Sequence, residues 1–181
     1  LGHAVWCARH LIGNEPVAVI LADDLIYGSN TIGEMINNYN TGNMLAIMDV
    51  NKHEVSSYGI ITPGKVLKNN VTEILGLVEK PEIEKAPSNM AVVGRYIIEP
   101  AVFEILEKQN RGASNEIQLT DAIASRIGKS DCSGYKFSEE RFDCGSKLGF
   151  IQANIKLSLQ RPNIGEKLKS WLKDEVLKDE V

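Results

Sequence analysis

Blocks of apolar residues along the chain predict helices and buried strands in succession. The opening LGHAVWCARHLI has apolar side chains at helical spacing, at Ala4, Val5, Ala8 and Leu11, and therefore predicts a helix. The run VAVILA, residues 17–22, is short, continuous and rich in β-branched residues. That pattern is typical of a strand covered on both faces, as in a parallel sheet.

A helix and a second strand are predicted next. The segment TIGEMINNYNTGN begins at a capping residue, Thr31, and ends at Gly42, which is the expected pattern of a helix. The run MLAIMDV, residues 44–50, predicts another buried strand. Between the first strand and this helix lies a loop that carries Asp23 and Asp24. The order strand, helix, strand implies a right-handed crossover.

The remaining apolar runs predict further strands of the same sheet and then helices. SSYGII, EILGLVEK and MAVVGRYII are separated by turn residues, without long helices between them. Helices are predicted from Pro100 through AVFEILEKQ and over EIQLTDAIASRIG, which Gly128 ends. YKFSEERFDCG predicts a strand or hairpin leading to Asp143, and two helical segments, SKLGFIQANIKLSLQ and GEKLKSWLKDEVLKDEV, follow it.

Composition favours one compact domain over residues 1–181, with residues 151–181 as its helical C-terminal segment. The chain has 181 residues, of which 43% are hydrophobic, enough for one sizeable core. Its 20 basic and 24 acidic residues give a net charge of -4 without a basic stripe, so nucleic acid is not an expected partner. No apolar run reaches membrane-spanning length, and we expect a cytoplasmic protein without a membrane partner.

Two adjacent carboxylates, Asp23 and Asp24, directly follow the first predicted strand. Ligands of open α/β sheets bind outside the carboxyl ends of the strands, so this is a favourable position for a site. One of the two carboxylates could bind a hard cation such as Mg²⁺, which uses one or two carboxylates together with water and substrate phosphates. The alternative is that Asp here only caps a turn, which is common for this residue.

The segment VEKP contains a second candidate, Glu79 with Lys80. Adjacent residues on a strand point to opposite faces, so both cannot be solvated if the sheet is covered. Lys suits a phosphate group, and Glu can accept hydrogen bonds from sugar hydroxyls. An exposed edge strand would explain the same pair equally well.

A third candidate is Asp143, which precedes Gly145 at a predicted strand end, although a simple turn would have the same sequence. Gly59 and Gly94 interrupt strand-like segments. Such glycines indicate either β-bulges or a close approach between the backbone and a ligand, and the sequence leaves both open.

Seven segments of the chain are informative when they are taken in order: LGHAV, LADDLI, YGII, VEKP, NMAVVGRYI, NEIQLTDAI and RFDCGSKLGF. Together they strongly resemble the bacterial UTP-glucose-1-phosphate uridylyltransferases. The resemblance covers nearly the whole chain.

The resemblance implies a Rossmann-like α/β nucleotidyltransferase fold, with a mixed, mostly parallel central sheet flanked by helices. It also implies Mg²⁺-dependent transfer, in which UTP and glucose 1-phosphate give UDP-glucose and pyrophosphate. Family members are commonly homo-oligomers, so a homodimer or higher homo-oligomer is expected. The rival interpretations are a related transferase for another base or sugar and a non-catalytic sugar-nucleotide-binding protein.

The resemblance also implies roles for individual residues. Asp23 would be the metal ligand, Asp24 would support the loop, and Asp143 would approach the same ion. Lys80 would contact the sugar phosphate, and Glu79 the glucose hydroxyls. The other implied site residues are Gly59, Val93 and Gly94 with their backbones against the sugar, Gly2 beside the uracil, and Glu116, Gln118 and Asp121 shaping the cleft.

The chain departs from the family at its beginning. Family members begin with a strand and a glycine-rich loop carrying an Arg, with a Lys nearby, and these residues cradle the UTP phosphates. None of these features occurs here, because Leu1 already falls within the LGHA turn. We therefore expect a piece of a longer polypeptide that lacks the N-terminal crossover unit and is inactive by itself.

Overall fold

The computed structural model describes residues 1–108 and 116–177, which form two compact units. The first unit comprises Leu1–Leu21 and Ser29–Glu139, and the second comprises Ala22–Gly28 and Glu140–Val181. The predicted helical positions at Gln109 and over 178–181 lie outside the described residues. That residues 1–181 form a single domain stays a prediction.

The described residues contain both helices and strands, as predicted. The strands are β1 Val17–Ile20, β2 Asp24–Tyr27, β3 Asn43–Asp49, β4 Gly59–Lys68, β5 Val71–Glu79, β6 Met90–Ile98, β7 Cys132–Lys136 and β8 Glu140–Asp143. The α-helices are α1 Gly2–Cys7, α2 Thr31–Asn38, α3 Ala101–Lys108, α4 Leu119–Ala124, α5 Lys147–Leu159 and α6 Gly165–Trp171. Short 3₁₀ turns cover Arg9–Leu11, Lys52–Ser57 and Ile83–Lys85, and a π turn covers Leu172–Val176.

The first unit is built on a mixed sheet with strand order β1-β6-β3-β7-β5-β4. The predicted α/β class is confirmed, but the prediction of a mostly parallel sheet is wrong for the described strands. Among the described strands of this sheet, only β3 and β7 pair in parallel, and the other pairings are antiparallel. The reason is that β6 lies between β1 and β3 and runs against both, while β5 runs against β7 and β4.

Strand β1 is not covered on both faces, contrary to the prediction from VAVILA. Its burial alternates along the strand, and Ile20 is 54% exposed. Val17 and Val19 pack against the core, whereas Ala18 and Ile20 face away from it. A β-branched run on an edge strand with one packed face thus has the same sequence pattern as a fully buried strand.

The core of the first unit joins the sheet to three short helices. Residues from β3, β5 and β6 pack with α1, α3 and α4, and Leu45, Ile98, Val102 and Leu119 are fully buried there. Burial, and to a lesser extent the charge of Glu99, raises the pKa of Cys132 to about 12, so this thiol acts as a protonated packing group. Within residues 1–108 and 116–177, no helix is long and apolar enough to cross a bilayer.

A polar cluster fastens the ends of β3 and β6 to the turn that follows α4. One oxygen of Glu99 accepts hydrogen bonds from Asn43 Nδ2, Arg126 Nε and Ser130 Oγ. The backbone N–H of Glu99 donates in return to Asn43 Oδ1 at 3.1 Å. Burial alone raises the pKa of Glu99, but the three donors outweigh it, and the pKa lies below its ordinary value of 4.5.

Glu99→Gln is expected to lower the free energy of unfolding by about 2 kcal/mol at neutral pH, because charged hydrogen bonds are lost. Because the pKa of Glu99 is lower in the folded protein, the ionised carboxylate stabilises the fold above pH 4.5. This contribution disappears as the pH falls through the folded-state pKa of Glu99. The difference from wild type should therefore shrink in acid, as measured by denaturant unfolding from pH 7 downward. The exposed Glu107→Gln is the control, and a pH-independent difference for Glu99→Gln would contradict the argument.

The second unit contains a two-stranded sheet that the sequence did not predict. The segment after β1 was expected to be a loop, but Asp24 begins β2, which pairs antiparallel with β8 from Asp24 opposite Asp143 to Tyr27 opposite Glu140. The predicted final strand, β8, therefore pairs with β2. Helix α5 follows, with Ser146 as its N-cap accepting from the N–H of Gly149 at 3.0 Å, and α6 comes next.

Candidate functional site

The turn after β8 brings two of the predicted acids together in the second unit. The N–H of Gly145 donates to Asp143 Oδ1 at 3.1 Å, so Asp143 makes the Asx-type turn expected of this residue. A Cβ placed on Gly145 would lie 3.1 Å from Asp143 Oδ1 and 3.1 Å from Asp23 Oδ2. The N–H of Cys144 also donates to the backbone oxygen of Asp23 at 2.7 Å. Asp23 and Asp143, both exposed, thus face the same small space beside Gly145.

Asp24 differs from its neighbour because it is buried and paired. It is 7% exposed, and its carboxylate forms an ion pair and a hydrogen bond with Arg141 of β8. Burial raises the pKa of Asp24, Arg141 counteracts that rise, and the charges of Asp23 and Asp143 add to it. An Asp held in this way fastens β2 to β8, and its carboxylate is not free to bind a ligand.

The donors beside Gly145 suit a hard divalent cation. Asp23 and Asp143 are carboxylates near one point, and Mg²⁺ is typically held by one or two carboxylates plus water and substrate phosphates. No group of three or more potential ligands from His, Cys, Asp and Glu occurs in the described ranges. The pair therefore fits Mg²⁺ held partly by substrate.

In the first unit, β5 ends at Glu79, and Lys80 turns out of the strand. The expectation that Glu79 and Lys80 alternate on one strand is therefore wrong. Lys80 has a left-handed φ of +47°, and its N–H donates to the backbone oxygen of Tyr58 at 2.9 Å. A positive φ is uncommon for a residue other than glycine, and such strain is concentrated at functional sites. Lys80 is exposed, and no ion pair to its ammonium occurs in the part of the chain that the structure describes.

Glu79 and Gly59 lie opposite each other at the open end of the β4–β5 ladder. Thr120, which sequence reasoning missed, joins them: its hydroxyl donates to Glu79 Oε2 at 2.7 Å. A Cβ on Gly59 would lie 3.0 Å from Thr120 Cγ2 and 3.1 Å from Glu79 Oε2. Gly59 therefore lies at a close approach of two side chains, and the β4–β5 register does not shift at it. Only the position of Thr120 within the EIQLTD segment could have pointed to it.

Gly94, by contrast, lies in an irregular part of the sheet. The register between β3 and β6 shifts between Leu45, which is opposite Tyr96, and Ile47, which is opposite Val92. The carbonyl of Gly94 accepts from the N–H of Leu21 at 2.9 Å and from Arg95 NH1, also at 2.9 Å. Gly94 thus lies where the register of β6 shifts, and its carbonyl ties β6 to the end of β1. The side chain of Val93 is buried, at 2% exposure.

Gly2 packs against the segment that precedes α4. Its N–H donates to the backbone oxygen of Ile117 at 2.9 Å, and an added Cβ would come within 2.7 Å of that oxygen and 2.8 Å of Leu106 Cδ2. Gly2→Ala is therefore expected to lower the thermal midpoint, because the segment carrying Gln118 and Thr120 must move. Gly13→Ala, which has open space around its Cβ, is the control. Equal midpoints for the two variants, measured by circular dichroism, would show that the contact does not constrain the segment.

Glu116, Gln118 and Asp121, the three site residues predicted in the EIQLTD segment, do not form one group. Glu116 and Gln118 precede α4, and Gln118 Nε2 lies 3.4 Å from Glu116 Oε2. Asp121 is inside the helix and lines a cavity of about 330 Å³ with Glu104 and Lys108 of α3. Burial raises the pKa of Asp121. The prediction that one helix carries all three residues is wrong, because the helix begins only at Leu119.

The predicted residues are thus grouped within each unit. Gly59 and Glu79 meet in the first unit, and Asp23 meets Asp143 in the second. That Asp23, Lys80 and Asp143 share one site stays a prediction.

The sequence matches the Nucleotidyl transferase family over residues 1–159, which is most of the chain. The chain belongs to this family.

Two relatives support the resemblance that the sequence motifs indicated. The chain is 40% identical over 177 residues to UTP--glucose-1-phosphate uridylyltransferase 1 of Staphylococcus saprophyticus, covering 96% of this chain and 61% of that protein. It is 44% identical over 149 residues to the UTP--glucose-1-phosphate uridylyltransferase of Komagataeibacter xylinus, covering 81% of this chain and 52% of that protein. The chain therefore spans between half and two thirds of the length of these curated relatives.

A solved nucleotidyl transferase structure has the same fold. The crystal structure of UDP-glucose pyrophosphorylase complexed with UDP-glucose matches with a TM-score of 0.84 and 44% identity, covering 89% of this chain and 62% of that one. The expected nucleotidyltransferase fold is confirmed by this match.

The larger of two cavities described in this nucleotidyl transferase lies away from the predicted residues. It has a volume of about 920 Å³ and is lined in part by Lys65, Lys68, Glu73 and Lys129. The β4–β5 ladder ends there at Lys68 opposite Val71, whereas Gly59 and Glu79 stand at its other end. None of the site residues predicted from the sequence lines this cavity.

Proposed function

We propose that the protein is a UTP-glucose-1-phosphate uridylyltransferase, which makes UDP-glucose and pyrophosphate. The observation that carries the proposal is the 44% identity, at a TM-score of 0.84, to a UDP-glucose pyrophosphorylase complexed with UDP-glucose. The uridylyltransferases of S. saprophyticus and K. xylinus support it independently. Since this chain spans only part of their length, the proposal concerns the full-length gene product.

The acids beside Gly145 are assigned to a Mg²⁺ ion. Asp23 and Asp143 would hold it with one or both carboxylates, while Asp24 keeps β2 in place through Arg141. When bound, the ion supplies positive charge that offsets the repulsion between the two anionic substrates. The exposure of Asp23 and Asp143, and the nearness of both to one point, support this assignment.

The end of β5 is assigned to glucose 1-phosphate. Lys80 would place its ammonium on the sugar phosphate, and Glu79 would accept hydrogen bonds from glucose hydroxyls. The backbones at Gly59, Val93 and Gly94 would lie against the sugar. Gly2 is assigned to the uracil, and Glu116, Gln118 and Asp121 to the cleft around the substrates.

The reaction is an in-line displacement at phosphorus. An oxygen of glucose 1-phosphate forms a bond to the α-phosphorus of UTP, and the bond from that phosphorus to the β-phosphate breaks, which releases pyrophosphate. Such transfers depend mainly on positioning and charge stabilisation, so no side chain has to act as a nucleophile. Lys80 contributes by holding one anion in place as the other approaches.

The test is a substrate comparison with the purified full-length gene product. With Mg²⁺ and glucose 1-phosphate, UTP should give UDP-glucose and dTTP should give much less product; galactose 1-phosphate should replace glucose 1-phosphate poorly. Product is measured by anion-exchange chromatography, and pyrophosphate by a coupled assay. A preference for dTTP or for another sugar would replace the proposed substrates, and binding without turnover would favour a sugar-nucleotide-binding protein.

Two further proposals follow from the resemblance alone. The 181 residues by themselves should be inactive, which the same assay tests directly, and turnover near that of the full-length product would refute this.

The full-length product should form a homodimer or higher homo-oligomer. Light scattering would measure its mass, and a monomer at assay concentration would contradict that expectation.

A further inference from the structure

Thr120 is buried, and its hydroxyl donates a hydrogen bond to one acceptor, the carboxylate of Glu79. Thr120 is 6% exposed in the first turn of α4, and its Oγ1 lies 2.7 Å from Glu79 Oε2. An ionised carboxylate can only accept, so the threonine hydroxyl is the donor. Hydrogen bonds to an ionised group are short and roughly twice as strong as neutral ones, and this contact restrains the Glu79 side chain.

The same carboxylate oxygen is enclosed on a second side by Gly59. A Cβ on Gly59 would lie 3.1 Å from Glu79 Oε2 and 3.0 Å from Thr120 Cγ2, so these three residues are closely packed. The other oxygen of Glu79, Oε1, has no hydrogen-bond partner within the described ranges. One oxygen is therefore fixed by the protein, and the other is left for a ligand.

We propose that Thr120 is a positioning residue, which orients Glu79 so that Oε1 accepts a hydrogen bond from a hydroxyl of the hexose phosphate. The inference rests on the proposed function, because it assigns Thr120 to the sugar side of that site. A glutamate without this donor samples several rotamers and must be ordered when the sugar binds. Thr120 provides that order before the sugar arrives, so its loss weakens sugar binding without removing a sugar contact.

Thr120→Val in the full-length gene product tests this with nearly the same volume. We expect about a tenfold rise in KM for glucose 1-phosphate, with KM for UTP unchanged, because one charge-assisted hydrogen bond is lost. Thr120→Ser keeps the hydroxyl and should restore wild-type KM. In a Glu79→Ala background, Thr120→Val should add no further loss, since its acceptor is gone. Thr120→Ala, with the same expected results, replaces the valine variant if that variant does not fold.

A purely structural role predicts different results. Equal losses for Thr120→Val and Thr120→Ser, a matching rise in KM for UTP, or full additivity with Glu79→Ala would each overturn the inference. If wild-type protein makes UDP-glucose and Thr120→Val leaves KM unchanged, the inference alone fails. If wild-type protein makes no UDP-glucose from UTP and glucose 1-phosphate, the proposed function fails and the positioning role falls with it.

Discussion

Replacing Asp23 with asparagine in the full-length gene product is expected to lower Mg²⁺-dependent turnover by about 10² to 10³-fold. A bound cation contributes several kcal/mol of charge stabilisation in phosphoryl-type transfer, and an amide oxygen is a weaker ligand than a carboxylate. Asp23 is exposed and forms no ion pair in the described ranges, so the fold does not depend on its charge. Turnover should be measured against Mg²⁺ concentration, together with the thermal midpoint.

The matched control is the next residue along the chain. Asp24→Asn should lower the thermal midpoint, because it weakens the buried contact with Arg141, but it should leave the Mg²⁺ concentration for half-maximal turnover nearly unchanged. Asp23→Asn should do the opposite, raising that Mg²⁺ concentration at an unaltered midpoint. If Asp24→Asn shifts the Mg²⁺ dependence and Asp23→Asn does not, the metal belongs to Asp24.

Elements with an unbroken local pattern were predictable from the sequence. The apolar run of β3 and the proline-initiated pattern of α3 are in the structure at Asn43–Asp49 and Ala101–Lys108. Strand direction and partners were not predictable, because pairing depends on contacts between distant residues. Asp24 shows this best: it begins a strand whose partner, Asp143, is supplied by a segment far along the chain.

The site was predictable only in its residue types. Position at the ends of predicted strands singled out Asp23 and Asp143, and the structure brings these two to one turn. Glu79 was singled out with Lys80 as an oppositely charged pair on a predicted strand. Thr120 was missed because its acceptor, Glu79, lies 41 residues away, and no local pattern in the sequence indicates their contact. A polar side chain can be assigned to a site only when its partner is known.

The backbone at Lys80 could not be inferred from alternation along a strand. A φ of +47° costs free energy for a lysine, and it persists because the neighbouring structure enforces it, including the hydrogen bond from its N–H to Tyr58. Lys80 therefore leaves the strand that ends at Glu79, and the strict alternation of a continuing strand does not apply to this pair.

Lys80→Met in the full-length gene product is accordingly expected to lower kcat/KM for glucose 1-phosphate by about 10² to 10³-fold, comparable to losing one preorganised donor to a developing charge. Methionine keeps most of the length of the side chain and removes the ammonium, with its charge and its three N–H donors. The matched control is Lys85→Met, because Lys85 is exposed and its ion pair with Glu82 at the surface contributes little. If the cation acts on the sugar phosphate, KM for UTP changes less than KM for glucose 1-phosphate. A loss in Lys80→Met no greater than in Lys85→Met would remove Lys80 from the site, whatever its backbone conformation.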